Sequence, residues 1–359
     1  MKVKASAPGK LILLGEYAVL EGAPGLVMAV NRFAEVNLQS ISSNHYLVDA
    51  PEIGVAGLPF IITDNQEISF PSSVTKETEK KLNFFSTAFE FARQIRKQGL
   101  SELPSFEIKL DTSQFFNKED DQKLGLGSSA ALMAALIPAL TQFSDEQFRP
   151  YRQSSQIFEA ALRAHRKAQG NMGSGIDVAS SVFGGVLKYK IVDPEFGKSP
   201  FYEKLTIPPN LHILILWTGR SASTGRFVQK VETFKKTEPK NFEKIINRMS
   251  AISVSGIEAF QGKNTSQFMD AVKQYSIEMK NLGEKSGIPI VSEVHQRISE
   301  IVIGGGGVYK PSGAGGGDLG VAFCESAIVK EKIANKLKSA GFKIINLETA
   351  TKGIQVVTI

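Results

Sequence analysis

Residues Lys123–Ala131 read KLGLGSSAA and overlap an apolar stretch, Ala130–Leu140. Gly125 and Gly127 let backbone N–H groups turn toward a ligand with no Cβ in the way. Ser128 and Ser129 then open a helix whose first N–H groups have no partner inside it and carry the positive end of its dipole. Such a loop is an anion site, and a nucleotide phosphate is its commonest occupant. Taken alone, the run also fits two serines that simply cap a helix. It is not a Walker A loop, because no G-x-x-x-x-G-K-[ST] occurs in the chain. It satisfies G-x-G-x-x-A, yet a dinucleotide fold needs a strand ending at the first glycine. Here the preceding residues, Asn117–Lys123, are the charged loop NKEDDQK.

A chain of 359 residues is long for one core and comfortable for two domains. Its 42% apolar and 22% charged content is that of a globular enzyme. No segment approaches the roughly 20 apolar residues of a membrane span, and MKVKASAPGK has no apolar signal region. Cys324 is the single cysteine, so an internal disulfide is impossible and a cytoplasmic location is expected. Four scattered histidines form no H-E-x-x-H set. The net charge of +6 is spread along the chain. Its one cluster, Lys235, Lys236, Lys240 and Lys244, reads as a solvated helix face rather than a nucleic-acid patch. Neither nucleic acid nor membrane is an expected partner; the expected state is a monomer or homodimer acting on a small molecule.

Periodicity predicts strands within Val27–Ile41, at Phe106–Leu110, Val186–Ile191, Leu211–Trp217, Val321–Phe323, Lys343–Asn346 and Gln355–Thr358. It predicts helices over Lys81–Gln98, after Ser128, over Asp145–Gln169, and roughly over 224–236, 240–261, 265–283, 289–303 and Ala327–Ser339. Pro138 should kink or shorten the helix that contains it. Lys190–Pro209, with four prolines and little period, is the candidate interdomain connection. It divides the chain into 1–199 and 200–359.

Glycine-dense loops recur at Gly170–Gly185, Gly304–Gly307 and Ser312–Gly320. A large ligand approached closely by backbone from several sides accounts for them jointly. The N-terminal run APGKLILLGEY, Ala7–Tyr17, sets Lys10 and Glu16 beside glycines in an apolar stretch. That placement suits site residues better than surface decoration.

APGKLILLGEYAVL, KLGLGSSAAL and KPSGAGGGDLGVAF together resemble the three signature motifs of the GHMP kinases, in that superfamily's order and spacing. The superfamily includes galactokinase, homoserine kinase, mevalonate kinase and phosphomevalonate kinase. Four features resemble the phosphomevalonate kinases, particularly the bacterial type. These are Lys123 ahead of GLGSSAA, Asp318 closing GAGGGD, AHRKAQGNMGSGIDVAS at Ala164–Ser180, and WTGRSAST at Trp217–Thr224. Mevalonate kinases carry a magnesium-binding glutamate upstream of the catalytic aspartate; the matching region here offers His165, with Glu159 one to two turns earlier. The alternatives are mevalonate kinase, a sugar kinase of the same superfamily, or a non-catalytic ligand sensor.

The resemblance implies an α+β fold in two domains, an N-terminal nucleotide-binding α/β domain and a C-terminal ferredoxin-like domain, with the active site between them. It implies ATP and Mg²⁺ as cofactors and phosphomevalonate as the small-molecule substrate. Gly125, Leu126, Gly127, Ser128, Ser129 and Ala130 would hold the triphosphate, with Ser129 also offered to the metal. Lys123 matches the γ-phosphate lysine, Lys10 would stand between donor and acceptor phosphates, and Asp177 matches the catalytic aspartate. Tyr17, Asn171, Arg220, Ser221, Ser223, Ser312, Gly313 and Ala314 are the expected substrate contacts, the last three through backbone. The bland reading of the Arg220 segment is a strand-to-helix turn capped by Thr224. Trp217 and Cys324 read as buried core, and His165 as a support of the site rather than a ligand.

Overall fold

The computed structural model describes residues 1–65, 67–95, 104–117, 119, 121–144, 154–170, 173–191 and 200–359. In chain order the first unit contains β1 (Lys2–Leu14), β2 (Gly25–Ser40), β3 (Tyr46–Ala50), β4 (Val55–Ile62), β5 (Ile68–Ser69), α1 (Lys76–Lys81), α2 (Asn83–Ile95), β6 (Phe106–Asp111), α3 (Ser128–Ser144), α4 (Ser154–Ala168), α5 (Ile176–Phe183), β7 (Val186–Lys190) and β8 (Phe201–Leu205). The second contains β9 (His212–Trp217), α6 (Thr224–Thr237), α7 (Pro239–Gln261), α8 (Thr265–Ser286), α9 (Glu293–Ile303), β10 (Val308–Pro311), β11 (Leu319–Cys324), α10 (Ala327–Ser339) and β12 (Lys343–Ile344); β13 (Gln355–Thr358) returns to the first.

Nine strands form the larger sheet, in the path β13-β1-β2-β6-β3-β4-β5 with β7 and β8 branching from β2. Most pairs are antiparallel; β3 and β6 run parallel. Four antiparallel strands, β10-β11-β9-β12, form the smaller sheet. This is the expected two-domain α+β architecture. The larger sheet takes strands from both sides of the expected 199/200 boundary, since β8 pairs with β7 and β13 with β1.

Both faces of β1 and β2 are used. One face joins α2–α5 in a core built on residues such as Val27, Val36, Phe89, Met133 and Leu136. The other supplies Leu11, Leu13, Leu26 and Met28 to a core shared with β9, β11, α7 and α8. A third core lies between the smaller sheet and α9 and α10. The central strands are thus the floor of both units, so motifs on them are held from two sides.

Helix α3 is apolar on nearly every side and buried on nearly every side, as a helix enclosed in a core must be. It runs as one element through Pro138 to Ser144. The expected shortening does not occur, because neighbours enclose the helix on both sides of the missing N–H. Around Asp145–Gln169 the described helix is α4, and 145–153 lie outside the described residues.

Candidate active site

The first motif is shaped by a bulge. The register of β1 against β2 shifts between Pro8 and Gly9, immediately before Lys10. A Cβ on Gly9 would stand 2.8 Å from the Leu126 carbonyl oxygen, too close for any other residue. That glycine lets the second motif lie directly on the strand, and the Lys10 N–H donates to Leu126 C=O at 2.8 Å. The Lys10 ammonium donates to Gly125 C=O at 3.1 Å. Its stem covers Gly127, where a Cβ would lie 3.1 Å from Lys10 Cγ.

Gly125 and Gly127 both have φ of +75°, a left-handed conformation that suits glycine. Helix α3 then begins at Ser128, and Ala131 N–H donates to Gly127 C=O at 3.1 Å. The N–H groups of Ser128, Ser129 and Ala130 therefore precede the helical ladder, the arrangement an anion needs. Ser129 Oγ lies 3.2 Å from His165 Nε2. His165 is buried on α4 beside that hydroxyl.

The third motif closes over Lys10 from the second unit. The ammonium lies 3.8 Å from where a Cβ on Gly313 would stand. Ser312 Oγ is spent on β1, accepting from Ile12 N–H at 3.1 Å and donating to Ile12 C=O at 2.9 Å. Ser312 is thereby a clamp between motifs one and three, and its neighbours present backbone. Tyr17 O–H donates to Ala314 C=O at 2.6 Å, and burial pushes its pKa up. Asp318, at φ +54°, packs its carboxyl against Gly125 and accepts from Ala222 N–H at 3.0 Å. Its backbone interlocks with Thr218 and Arg220. Burial raises the Asp318 pKa, opposed by the Ala222 N–H and by Lys10.

Beneath the third motif lies an ion pair that sequence reasoning did not find. Glu16 and Lys310 pair with side chains 2% and 0% exposed. Gly313 N–H also donates to Glu16 Oε1 at 3.4 Å, and Lys310 donates to Pro311 C=O at 2.8 Å. Glu16 is therefore structural support for the site, not a group facing ligand. Burial raises the Glu16 pKa and lowers that of Lys310, and each partner opposes the other's shift.

His295 is a second unforeseen support. Its Nε2 lies 3.2 Å from Gly317 C=O and its Nδ1 2.7 Å from Tyr309 Oη. A carbonyl can only accept, so Nε2 carries the proton and Nδ1 accepts from the tyrosine. Burial pushes the His295 pKa down from 6.5 to about 4; Gly317 C=O resists, while Arg220 and Lys310 add to the fall. Between those values the unfolded chain takes up a proton and the native protein does not. Stability should therefore fall as pH drops through this window, by about 3 kcal/mol in full. Urea melts at pH 7, 5.5 and 4.5 should show the loss, and His295→Gln should flatten it. Equal slopes in both proteins would exclude His295 as the source.

The remaining expected residues spread around this cluster. Asp177 stands in the first turn of α5, its Oδ1 accepting from Val178 N–H at 3.0 Å. Among the described residues no ion pair joins it to Lys10. Lys123 is exposed, its ammonium 5.6 Å from the Phe116 ring centre. Arg220 is exposed at the lip of the loop and makes no ion pair among the described residues. Ser221 N–H donates to Gln122 Oε1 at 3.2 Å, which ties this loop to the entry of the second motif. Helix α6 is capped at Ser223, one residue before the expected Thr224, with no side-chain bond from the cap. Asn171 lies outside the described residues. Trp217 and Cys324 are buried, as expected, and burial raises the cysteine pKa to about 11.

No group of three or more His, Cys, Asp or Glu side chains suited to a metal occurs among the described residues. The donors present suit a cation held chiefly by a nucleotide's own phosphates, with a hydroxyl such as that of Ser129 added. No helix described is long and apolar enough to cross a membrane.

Residues 83–185 match the GHMP kinases N terminal domain. Over 97% of its length the chain is 23% identical to a phosphomevalonate kinase of Streptomyces sp. (strain CL190), covering 97% of that protein. It is 26% identical to a mevalonate kinase of Thermococcus gammatolerans, covering 99% of this chain and 98% of the other. The fold matches that of Streptococcus pneumoniae phosphomevalonate kinase, solved with phosphomevalonate and AMPPNP, at a TM-score of 0.77 and 18% identity, over 96% of this chain and 99% of the other. The chain has the GHMP kinase fold, and the resemblance read from its three motifs holds.

Proposed function

We propose that this GHMP-family kinase transfers the γ-phosphoryl group of ATP to the phosphate of (R)-5-phosphomevalonate, giving 5-diphosphomevalonate and ADP in the mevalonate route to isoprenoids. The observation that carries the reading is the convergence on Lys10 of two glycine-rich loops, Gly125–Gly127 and Gly313–Asp318, from the two units. Phosphoryl transfer asks mainly for positioning and for neutralisation of charge on the transferred oxygens. Free N–H groups at the start of α3 would hold the triphosphate, and Lys10 would face the transferred group. Bound Mg²⁺ would screen the phosphate charge, with Ser129 as its protein ligand.

An oxygen of the acceptor phosphate attacks the γ-phosphorus, and the bond from that phosphorus to the ADP oxygen breaks. The acceptor's second pKa is about 6, so near pH 7 it needs no strong base. Asp177 then serves to orient the acceptor. Asp177→Asn should lose about tenfold in kcat, whereas a loss beyond about 10⁴ would mean that it removes a proton in the slow step. The exposed Arg220 guanidinium is suited to bidentate grip of the acceptor's carboxylate or phosphate. Lys123 would reach the γ-phosphate, and Tyr17, Asn171, Ser221, Ser223 and the Ser312–Ala314 backbone would line the acceptor.

Mevalonate kinase is the second reading, favoured by relatives of similar identity under that name. Coupled ADP-release assays with phosphomevalonate, mevalonate and galactose separate the readings. Turnover with mevalonate and none with phosphomevalonate would reject the first.

A further inference from the structure

Asp318 touches three parts of the site that lie far apart in sequence. Its Oδ1 accepts from Ala222 N–H at 3.0 Å, in the loop that carries Arg220 and Ser221. Its carboxyl lies so close to Gly125 that a Cβ there would stand 2.5 Å from Asp318 Cγ. Its backbone N–H donates to Arg220 C=O at 2.8 Å, while its own carbonyl accepts from Thr218 N–H at 3.1 Å and Thr218 Oγ1 at 3.0 Å. Gly125, on the other side, accepts the Lys10 ammonium at 3.1 Å. The residue holds φ +54°, a conformation in which most side chains are strained. A non-glycine residue kept there points to a side chain that is used.

We propose that Asp318 is a positioning residue that locks the acceptor loop at Ala222 to the nucleotide loop at Gly125, whose carbonyl holds the Lys10 ammonium. The inference rests on the phosphoryl-transfer reading above. It separates two tasks of one side chain. The hydrogen bond to Ala222 fixes Arg220 and Ser221 relative to the phosphate loop, which governs acceptor binding. The packing on Gly125 fixes the carbonyl that holds the Lys10 ammonium, which governs the transfer step. Contact with Gly125 explains why that position tolerates no side chain.

Two variants test both tasks. Asp318→Asn keeps an acceptor for Ala222 N–H and tolerates the left-handed backbone, but has no charge. Asp318→Gly fits the same backbone without strain and removes both functions. With the acceptor that the wild-type protein turns over, Asp318→Gly should raise acceptor KM about tenfold and lower kcat about tenfold. Asp318→Asn, which keeps the bond to Ala222 and the packing on Gly125, should restore both KM and kcat to near wild type. Affinity for AMPPNP and the melting temperature should stay near wild type in both. Amide exchange over 218–224 should quicken in Asp318→Gly and not in Asp318→Asn. If the two variants share one KM, or if AMPPNP affinity falls as far as acceptor affinity, the proposal is wrong. A wild-type protein inert toward phosphomevalonate would instead reject the functional reading, while the exchange experiment would still judge the tether.

Discussion

Lys10→Met is expected to lower kcat by about 10³ while leaving the melting temperature and AMPPNP affinity near their wild-type values. The reason is where the ammonium stands. It donates to Gly125 C=O, and Gly313 of the third motif closes over it. No other lysine lies between the two loops among the described residues: Lys310 is paired beneath with Glu16, and Lys123 lies over Phe116. Methionine keeps the length and apolar contacts of the stem over Gly127, so the backbone bond from residue 10 to Leu126 should survive. What is lost is one positive charge facing the transferred group. Removing a single donor of this kind costs about 10²–10³ in kcat, and removing a cationic finger costs up to about 10⁵. Lys10→Arg should not rescue, because a broad planar fork does not reproduce the compact ammonium held between Gly125 C=O and Gly313. Steady-state kinetics beside a binding titration checks the prediction. A loss under about tenfold would remove Lys10 from the transfer step.

The second large effect is on stability. Lys310→Met leaves Glu16 as a buried carboxylate with no cation, since the pair is almost wholly shielded from water. Breaking one partner of such a pair costs about 3–5 kcal/mol, or on the order of 10 °C in melting temperature for a unit of this size. The double variant Glu16→Gln with Lys310→Met should be less destabilised than Lys310→Met alone, because no isolated charge remains. Thermal and urea melts of the two variants make the comparison. The pair also holds Gly313 N–H, so the single variant should weaken acceptor binding below its melting point. Equal melting temperatures in wild type and Lys310→Met would show that the pair is not the buried support described here.

Local signals in this sequence are reliable where one element is repeated over many residues. Helices α6–α10 have the expected extents within a few residues, and α10 and β13 match to the residue. The three motifs were legible because their chemistry sits in short runs of glycine, serine and charge. The strands β3, β4 and β5 were not, because each is partly exposed with weak alternation. Long-range pairs left no mark at all. Glu16 and Lys310 are 294 positions apart, and Asp318 and Ala222 are 96 apart. Each residue was visible in its own motif, but nothing in either stretch says which distant group it meets. His295, on α9, was hidden too: its partners lie on β10 and in the loop after it, and neither stretch names the other. Pro138 shows the reverse error, where a local breaker is overruled by burial on all sides.

Phosphorus NMR of the wild-type protein with ATP, Mg²⁺ and (R)-5-phosphomevalonate shows directly which oxygen accepts the γ-phosphoryl group. The acceptor's phosphomonoester signal should be replaced by two mutually coupled diphosphate signals as ADP accumulates in equal amount. ADP accompanied by inorganic phosphate, or a phosphomonoester formed only when mevalonate is supplied, would contradict transfer to the acceptor's phosphate.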